Sequence, residues 1–392
     1  MADTADRAPV LVAGGGPVAL FLALTLAERD IPLTVCSAER PAADRPIALS
    51  YGSRLLLDRV GVFGSLQSTP IESIHISQRG GFGRTVIDSA DHDVPALGYV
   101  VSYAALVAAL RERLANPLTP AALTHYSPSD QGDRLLVRTV DSLGTQHDHS
   151  TPLLVLAEGT GLRAASPSHP HHQTGERRRD YAQSAVVARI RAERPHRNRA
   201  WERFTPEGPL ALLPDGEQLS LVWSTSHEKA HSLCGLREGP FLSRLAETFG
   251  ARLGRLVAAS PRGAFPVELR YRRGLPMARV LAIGNASQTL HPVAGQGLNL
   301  GLRDAFELAQ VLADTQASGA DSGSASVLHG YVRARELDRG GGIHFTDALV
   351  RVFSNARGPA ALARGAGLAA LDVLPPLRRF VARRMMFGAQ GF

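Results

Sequence analysis

Lysine is all but missing from these 392 residues: Lys229 is the only one, although Lys and Arg together number 43 and the formal charge is +7. Arginine therefore carries nearly all the positive charge. Its planar fork suits phosphate and carboxylate contacts. The arginines are scattered, however, and aromatics make up only 6% of the chain, so no nucleic-acid partner is expected. Cysteine is equally scarce. Cys36 and Cys234 are too few for a disulfide framework or a four-cysteine zinc site, and a reducing, cytoplasmic compartment fits. His169-Pro170-His171-His172 has no carboxylate or cysteine at ligand spacing, so no metal is expected. Charged residues at 20% and hydrophobic residues at 44% exclude a largely disordered chain. The length suffices for two domains, or for one with a large insertion.

Long hydrophobic runs are rare too. Residues 8–27 form an uncharged stretch of membrane length, but Gly14-Gly15-Gly16-Pro17 interrupts it, and a spanning helix tolerates that poorly. A soluble protein is expected, or one peripheral to a membrane. The interrupted run reads as a buried strand at 9–13, a glycine turn, and an amphipathic helix at 18–29 with Pro17 at its first position. A second strand follows at 31–36, giving a βαβ start. In Gly14-x-Gly16-x-x-Ala19 the glycines, Gly15 between them, permit a tight turn and close backbone approach to a pyrophosphate. The helix that follows aims its free N–H groups at that anion, and Ala19 permits close packing. A dinucleotide is the expected ligand. The acid that usually grips a ribose at the end of the second strand is missing; Ser37 stands there, with Glu39 two residues on.

Farther along, helices are expected at 54–60 and 104–115, and a hairpin at 73–87 around Gly80-Gly81-Phe82-Gly83. Strands are expected at 135–140 and at 153–157, before Glu158-Gly159. Residues 176–275 change character. Alternating strands at 184–190, 201–205, 209–213, 219–224 and 265–271 surround a helix at 241–253. This reads as an antiparallel-sheet domain inserted into a nucleotide-binding domain of residues 1–175, which resumes at 276–330. Residues 331–392 are helical, broken at Pro375-Pro376. The fold class is α/β: a Rossmann-like domain, an inserted antiparallel sheet, and C-terminal helices.

The most informative stretch follows the buried strand at 280–283. It runs Gly284-Asn285-Ala286-Ser287-Gln288-Thr289-Leu290-His291-Pro292-Val293-Ala294-Gly295-Gln296-Gly297-Leu298-Asn299-Leu300-Gly301-Leu302-Arg303-Asp304. Here the chain resembles the aromatic hydroxylases of the flavoprotein monooxygenase superfamily, whose fold is that of para-hydroxybenzoate hydroxylase. Gln288-Thr289-Leu290-His291-Pro292, Trp201-Glu202-Arg203-Phe204-Thr205 with Gly208-Pro209, and Gly342-Ile343-His344-Phe345-Thr346-Asp347 narrow the resemblance. They are similar to the ubiquinone-biosynthesis branch, the 2-polyprenyl-6-methoxyphenol hydroxylases.

The resemblance implies FAD as cofactor and NAD(P)H as a transient co-substrate without a domain of its own. It implies oxygen activation at the flavin C4a carbon and hydroxylation of a membrane-derived polyprenyl phenol in ubiquinone biosynthesis. It places the loop from His291 to Leu298 along the isoalloxazine, with Pro292 fixing the loop and Gly295 and Gln296 within it. The N–H groups of Gly297, Leu298 and Asn299 would then face the charge that develops near flavin N1 and O2. Arg45 matches a flavin-contacting arginine of the family. Ser37, Ala104, Glu158 and Asn285 depart from the family's residues, and Ser102-Tyr103-Ala104 lacks the usual long polar flavin contact. Trp201, Leu212, Leu213 and Trp223 lie on strands expected to roof the substrate site, and His291 is a pocket contact. No catalytic base is identified. Two other readings remain open: a non-catalytic member of a quinone-synthesis complex, and a hydroxylase of a soluble phenol. Arg378, Arg379, Arg383 and Arg384 among Leu377, Phe380, Val381 and Met385 suit either a packed helix or one resting on anionic lipid.

Overall fold

A computed structural model describes residues 8–38, 44–115, 118–129, 131–158, 176–353 and 358–388. Its centre is a parallel sheet ordered Val280–Ala282, Leu154–Leu156, Val10–Ala13, Leu33–Cys36. Val10–Ala13 is apolar and buried throughout because both faces of this sheet are covered. Leu11 and Ala13 point to a small antiparallel sheet, where Leu123, Tyr126, Leu135 and Val137 close over them. Val10 and Val12 point to the helices Pro17–Ala27 and Gln296–Ala317.

The Pro17–Ala27 helix is not the amphipathic element expected. Pro17 and every residue from Ala19 to Leu26 are buried, because the sheet and the helices Gln296–Ala317 and Tyr103–Arg113 surround it. Its leucines and Phe21 each contribute on the order of 2 kcal/mol of burial.

The second unit is a large, mostly antiparallel sheet. Glu176–Ala192, Gln218–Ser226, Gly208–Asp215 and Arg199–Thr205 form its middle, and Gly263–Arg272 flanks Glu176–Ala192. Beyond Arg199–Thr205 it takes in the hairpin strands Ser73–Gln78 and Arg84–Asp88, so it draws on chain outside 176–275. Its two faces differ sharply. Val186, Ile190, Leu210, Leu212, Leu221 and Trp223 pack on one face with residues of the helices His227–Gly235 and Glu238–Phe249. The other face looks back toward the nucleotide-binding unit.

The helices Ala325–Phe353, Gly358–Val373 and Pro375–Phe387 complete the chain. A buried ion quartet ties the first of them down. Arg335 Nη2 lies 2.9 Å from both Asp304 and Asp338, and Arg303 Nε lies 2.9 Å from Asp338. Removing one member of such a network costs about 3–5 kcal/mol because it leaves a buried charge uncompensated. No described helix is long and apolar enough to cross a membrane.

Candidate active site

Two helix N-termini are brought together by missing side chains. A Cβ on Gly301 would stand 2.7 Å from Val18 Cγ2, and one on Gly284 would stand 3.2 Å from the same valine. Only glycine lets Gln296–Ala317 cross Pro17–Ala27 this closely. Gly14 has φ +148°, and a Cβ there would stand 2.8 Å from the Ala157 carbonyl. Gly295, at the N-cap of the long helix, has φ +59°. Neither N-terminus carries a side-chain cap or an acidic residue in its first turn. Both positive ends are therefore free to act on an anion.

Both N-termini border one cavity of about 1320 Å³, through Gly16, Pro17 and Val18 at one and Gly295, Gly297 and Leu298 at the other. This exceeds the roughly 300–1,000 Å³ usual for a single small ligand. The opposite wall is the free face of the large sheet, including Ile76, Glu202, Phe204, Ala211, Leu213 and Val222. A third side is formed by Leu371, Leu377, Val381 and Met385 of the C-terminal helices.

Most of the residues singled out in the sequence meet here. Arg45, Asn285, His291 and Pro292 line the cavity. Gly14, Gly15, Ala19 and Ser37 lie just behind the first N-terminus: a Cβ on Gly15 would collide with Ser37 Oγ, and Ser37 is itself buried. Glu158 follows Ala157, and its backbone N is 3.0 Å from where a Gly14 Cβ would be. Gln296 Nε2 donates to the Met385 carbonyl at 3.4 Å, joining the loop to the last helix. Asn299 clamps the Pro46–Ser50 strand: its Oδ1 accepts from Ser50 N at 2.8 Å, and its Nδ2 donates to Ala48 O at 3.2 Å and Gly295 O at 2.7 Å. Glu39, Gly159 and the 169–172 histidines lie outside the described residues. Among the described residues no cluster of metal-ligating side chains occurs.

Two expected roof residues are elsewhere. Leu212 and Trp223 point to the far face of the sheet, into the core beneath the 227–249 helices. Strand side chains alternate, so Ala211 and Leu213 face the cavity and Leu212 cannot. Trp201 borders the cavity, but its ring packs edge-on against Phe249 at 6.0 Å on the core side.

His291 is a loop-former. It is 1% exposed, and burial pushes its pKa down to about 3, so it is neutral. Its Nδ1 accepts from Val293 N at 3.1 Å, which leaves the proton on Nε2, 3.4 Å from Gln183 Oε1. Tyr181 meets the ring edge-on at 5.4 Å. Cys36 is inert, its thiol pushed up to about 12 by burial and by the charge of Glu158.

Three residues went unrecognised in the sequence. Tyr103 opens its helix, and its hydroxyl reaches within 3.4 Å of where a Gly16 Cβ would be. The Arg45 guanidinium lies over its ring at 4.7 Å. This pair occupies the position where a long polar side chain was missed. Asp304 Oδ2 accepts from Gln288 Nε2 at 2.6 Å and from Gly284 N at 3.3 Å, fixing the turn before the loop. Glu202 faces the cavity, and burial alone pushes its pKa up to about 7. Glu202 carries no local signal; only the cross-strand register places it on the cavity face.

Comparison with known proteins agrees with this geometry. Residues 7–337 match the family model described as FAD binding domain. The ubiquinone hydroxylase UbiL of Rhodospirillum rubrum is 34% identical over 98% of this chain and 90% of its own. The 3-demethoxyubiquinol 3-hydroxylase of Escherichia coli K12 is 30% identical over 94% of this chain and 96% of its own. Among solved structures, p-nitrophenol 4-monooxygenase PnpA of Pseudomonas putida superposes with a TM-score of 0.74, covering 97% of this chain and 98% of that one at 19% identity, a likeness of fold. With its free helix N-termini on a shared cavity and relatives matched almost end to end, the chain belongs to the FAD-dependent aromatic hydroxylases, in the branch that holds the ubiquinone-biosynthesis monooxygenases.

Proposed function

We propose that this protein hydroxylates a polyprenyl phenol of 2-polyprenyl-6-methoxyphenol type in ubiquinone biosynthesis, with FAD in the cavity and NAD(P)H as reductant. The observation that carries the reading is the continuity of the cavity. It runs from two helix N-termini, past the apolar sheet face, to apolar C-terminal helices. The residues present fit FAD. Gly297 has nothing within 4 Å of where a Cβ would be, so a flat ring can lie against its backbone. The Gly14–Ala19 turn suits the pyrophosphate, with Ser37 beside it for the ribose. Arg45, Glu158 and Asn285 border the path between, and Pro292 to Asn299 would face the ring. Bound there, the flavin would supply electrons to dioxygen and deliver one oxygen atom to the ring. The chain's own tasks are to hold the phenol, exclude water and offset charge near the flavin. Leu213, Trp201 and His291 border the substrate's side.

The lipid tail has a path. Leu377 lines the cavity and is 41% exposed, while Val373, Leu374 and Phe380 nearby are 74%, 51% and 64% exposed. Arg379 and Arg383 on the same helix are exposed as well. An apolar rim with flanking arginines suits peripheral contact with an anionic bilayer, and access to substrate held there or in a ubiquinone-biosynthesis assembly. This favours a lipidic phenol over a soluble one.

The test is turnover. Purified protein with FAD and NAD(P)H is offered a polyprenyl phenol, the same phenol without its tail, and 3-demethoxyubiquinol, the ring for which the E. coli relative is named. Tail-dependent hydroxylation supports the reading. Equal turnover of the tail-less ring contradicts it, and preference for 3-demethoxyubiquinol moves the assignment to that ring.

A further inference from the structure

Glu202 sits on the cavity side of the Arg199–Thr205 strand. Its cross-strand neighbours are Ala211 on one side and Ile76 on the other, so neither offers a polar group. Among the described residues its Oε1 is buried without a hydrogen-bond partner. A carboxylate oxygen taken from water with nothing to bond costs folding free energy. Such a group at a ligand cavity points to a function.

Its place along the strand is informative. Phe204, two residues on and on the same face, packs against Val293 in the Pro292–Leu298 loop. Two residues of strand span about 6.6 Å. Glu202 thus stands one pleat repeat from the residue that touches the loop proposed to run beside the flavin, and it lines the same cavity as that loop.

We propose that Glu202 is the catalytic carboxylate that accepts the phenolic proton of the substrate. The inference rests on the reading that the cavity takes a phenol. The O–H bond of the phenol breaks and a bond forms from that hydrogen to the Glu202 carboxylate. The electron pair stays on the phenol oxygen and spreads to the ring carbons ortho and para to it, which makes them better nucleophiles. When the product regains its aromatic hydroxyl, Glu202 returns the proton. No electrons leave the ring in this step.

Chemistry and surroundings agree. Burial alone raises the pKa of Glu202 from 4.5 to about 7, where an acid–base group works best near neutral pH. Other acid–base groups lining the cavity have partners of their own: Glu268 pairs with Arg178 at 2.6 Å, His227 Nδ1 lies 2.8 Å from Ser184 Oγ, and Asp180 Oδ1 accepts from Ala182 N at 2.8 Å. His291 is neutral and bonded through both ring nitrogens. Asp44 is held by Ser102 at 2.7 Å and Arg189 at 3.3 Å. Arg45 lies on Tyr103.

The test compares wild type with Glu202→Gln, both loaded with FAD. Wild-type kcat should rise with pH through about 7, the value set by burial of Glu202. The variant should lose that rise and fall about 100-fold at pH 8. It should also bind the phenol about tenfold more weakly, with its affinity for the phenol's O-methyl ether unchanged. Independently of turnover, infrared titration of the FAD-loaded protein should show a protonated-carboxyl band that fades near neutral pH and is absent from the variant. A variant with kcat within about threefold of wild type and the same pH limb overturns the assignment, as does a titrating band that survives the substitution. If wild type itself neither binds nor hydroxylates any phenol, the proposed function falls, and the infrared titration still judges the ionisation of Glu202.

Discussion

Gly297→Ala should move stability and cofactor affinity in opposite directions. Gly297 lies in the first turn of the Gln296–Ala317 helix, and a Cβ added there meets nothing within 4 Å. In the FAD-free protein the added methyl costs no contact and removes the glycine penalty, worth up to about 1 kcal/mol inside a helix and less in a first turn. Thermal stability without FAD should hold or rise slightly. With FAD, the methyl occupies the space where the ring is proposed to lie. A displacement costing 1.4 kcal/mol is a tenfold rise in Kd, and a loss of at least about that size is expected. Thermal melts of the apo-protein and fluorescence titration with FAD separate the two effects. A variant that binds FAD as tightly as wild type refutes the placement of the ring against this helix.

The sheet faces predict a clean division of mutant phenotypes. Leu212→Ala, on the core side, should cost about 2–5 kcal/mol with KM unchanged, whereas Ala211→Phe, on the cavity side, should raise KM strongly with little loss of stability. Arg335→Met takes the buried arginine from Asp304 and leaves Asp338 with Arg303, and should cost about 3–5 kcal/mol in denaturant unfolding. Replacing both Arg379 and Arg383 by Ala should weaken cosedimentation with anionic vesicles by about 2 kcal/mol at low salt, roughly 30-fold, and leave neutral vesicles unaffected. Burial of Glu202, whose pKa is raised from 4.5 to about 7, leaves stability intact below pH 4.5 and lowers it as pH rises toward 7. Glu202→Gln should therefore stabilise the protein at pH 8, by at most about 3 kcal/mol, and not at pH 4. His291, lowered from 6.5 to about 3, acts with the opposite sign: its neutral burial is harmless above pH 6.5 and costs stability as pH falls toward 3.

The glycine turn at Gly14–Gly16 and the Pro292–Asn299 loop were legible because their chemistry is local: a strand, a turn with small residues, a helix. The faces of the large sheet were not. Leu210-Ala211-Leu212-Leu213 is apolar at every position, so period two assigns no side until cross-strand register does. The bulk of Trp223 drew attention, yet bulk is what a core under two helices needs. The Pro17–Ala27 helix was misjudged because burial by three neighbours is a tertiary fact. Glu202 went unweighed because it stands between Trp201 and Arg203, and a lone acid in a strand ordinarily faces water. Ala104 stood as the lost polar contact, but one residue earlier Tyr103 carries the Arg45 guanidinium on its ring.

The central claim is that one cavity seats a flavin against the two helix N-termini and a lipid-tailed phenol against the sheet. The most direct measurement is a single turnover of FAD-loaded protein with NAD(P)H, a polyprenyl phenol in vesicles and isotopically labelled dioxygen. The account predicts one labelled oxygen on the ring for each phenol consumed. NAD(P)H oxidation that yields only hydrogen peroxide, with the phenol recovered unchanged and unlabelled, would contradict it.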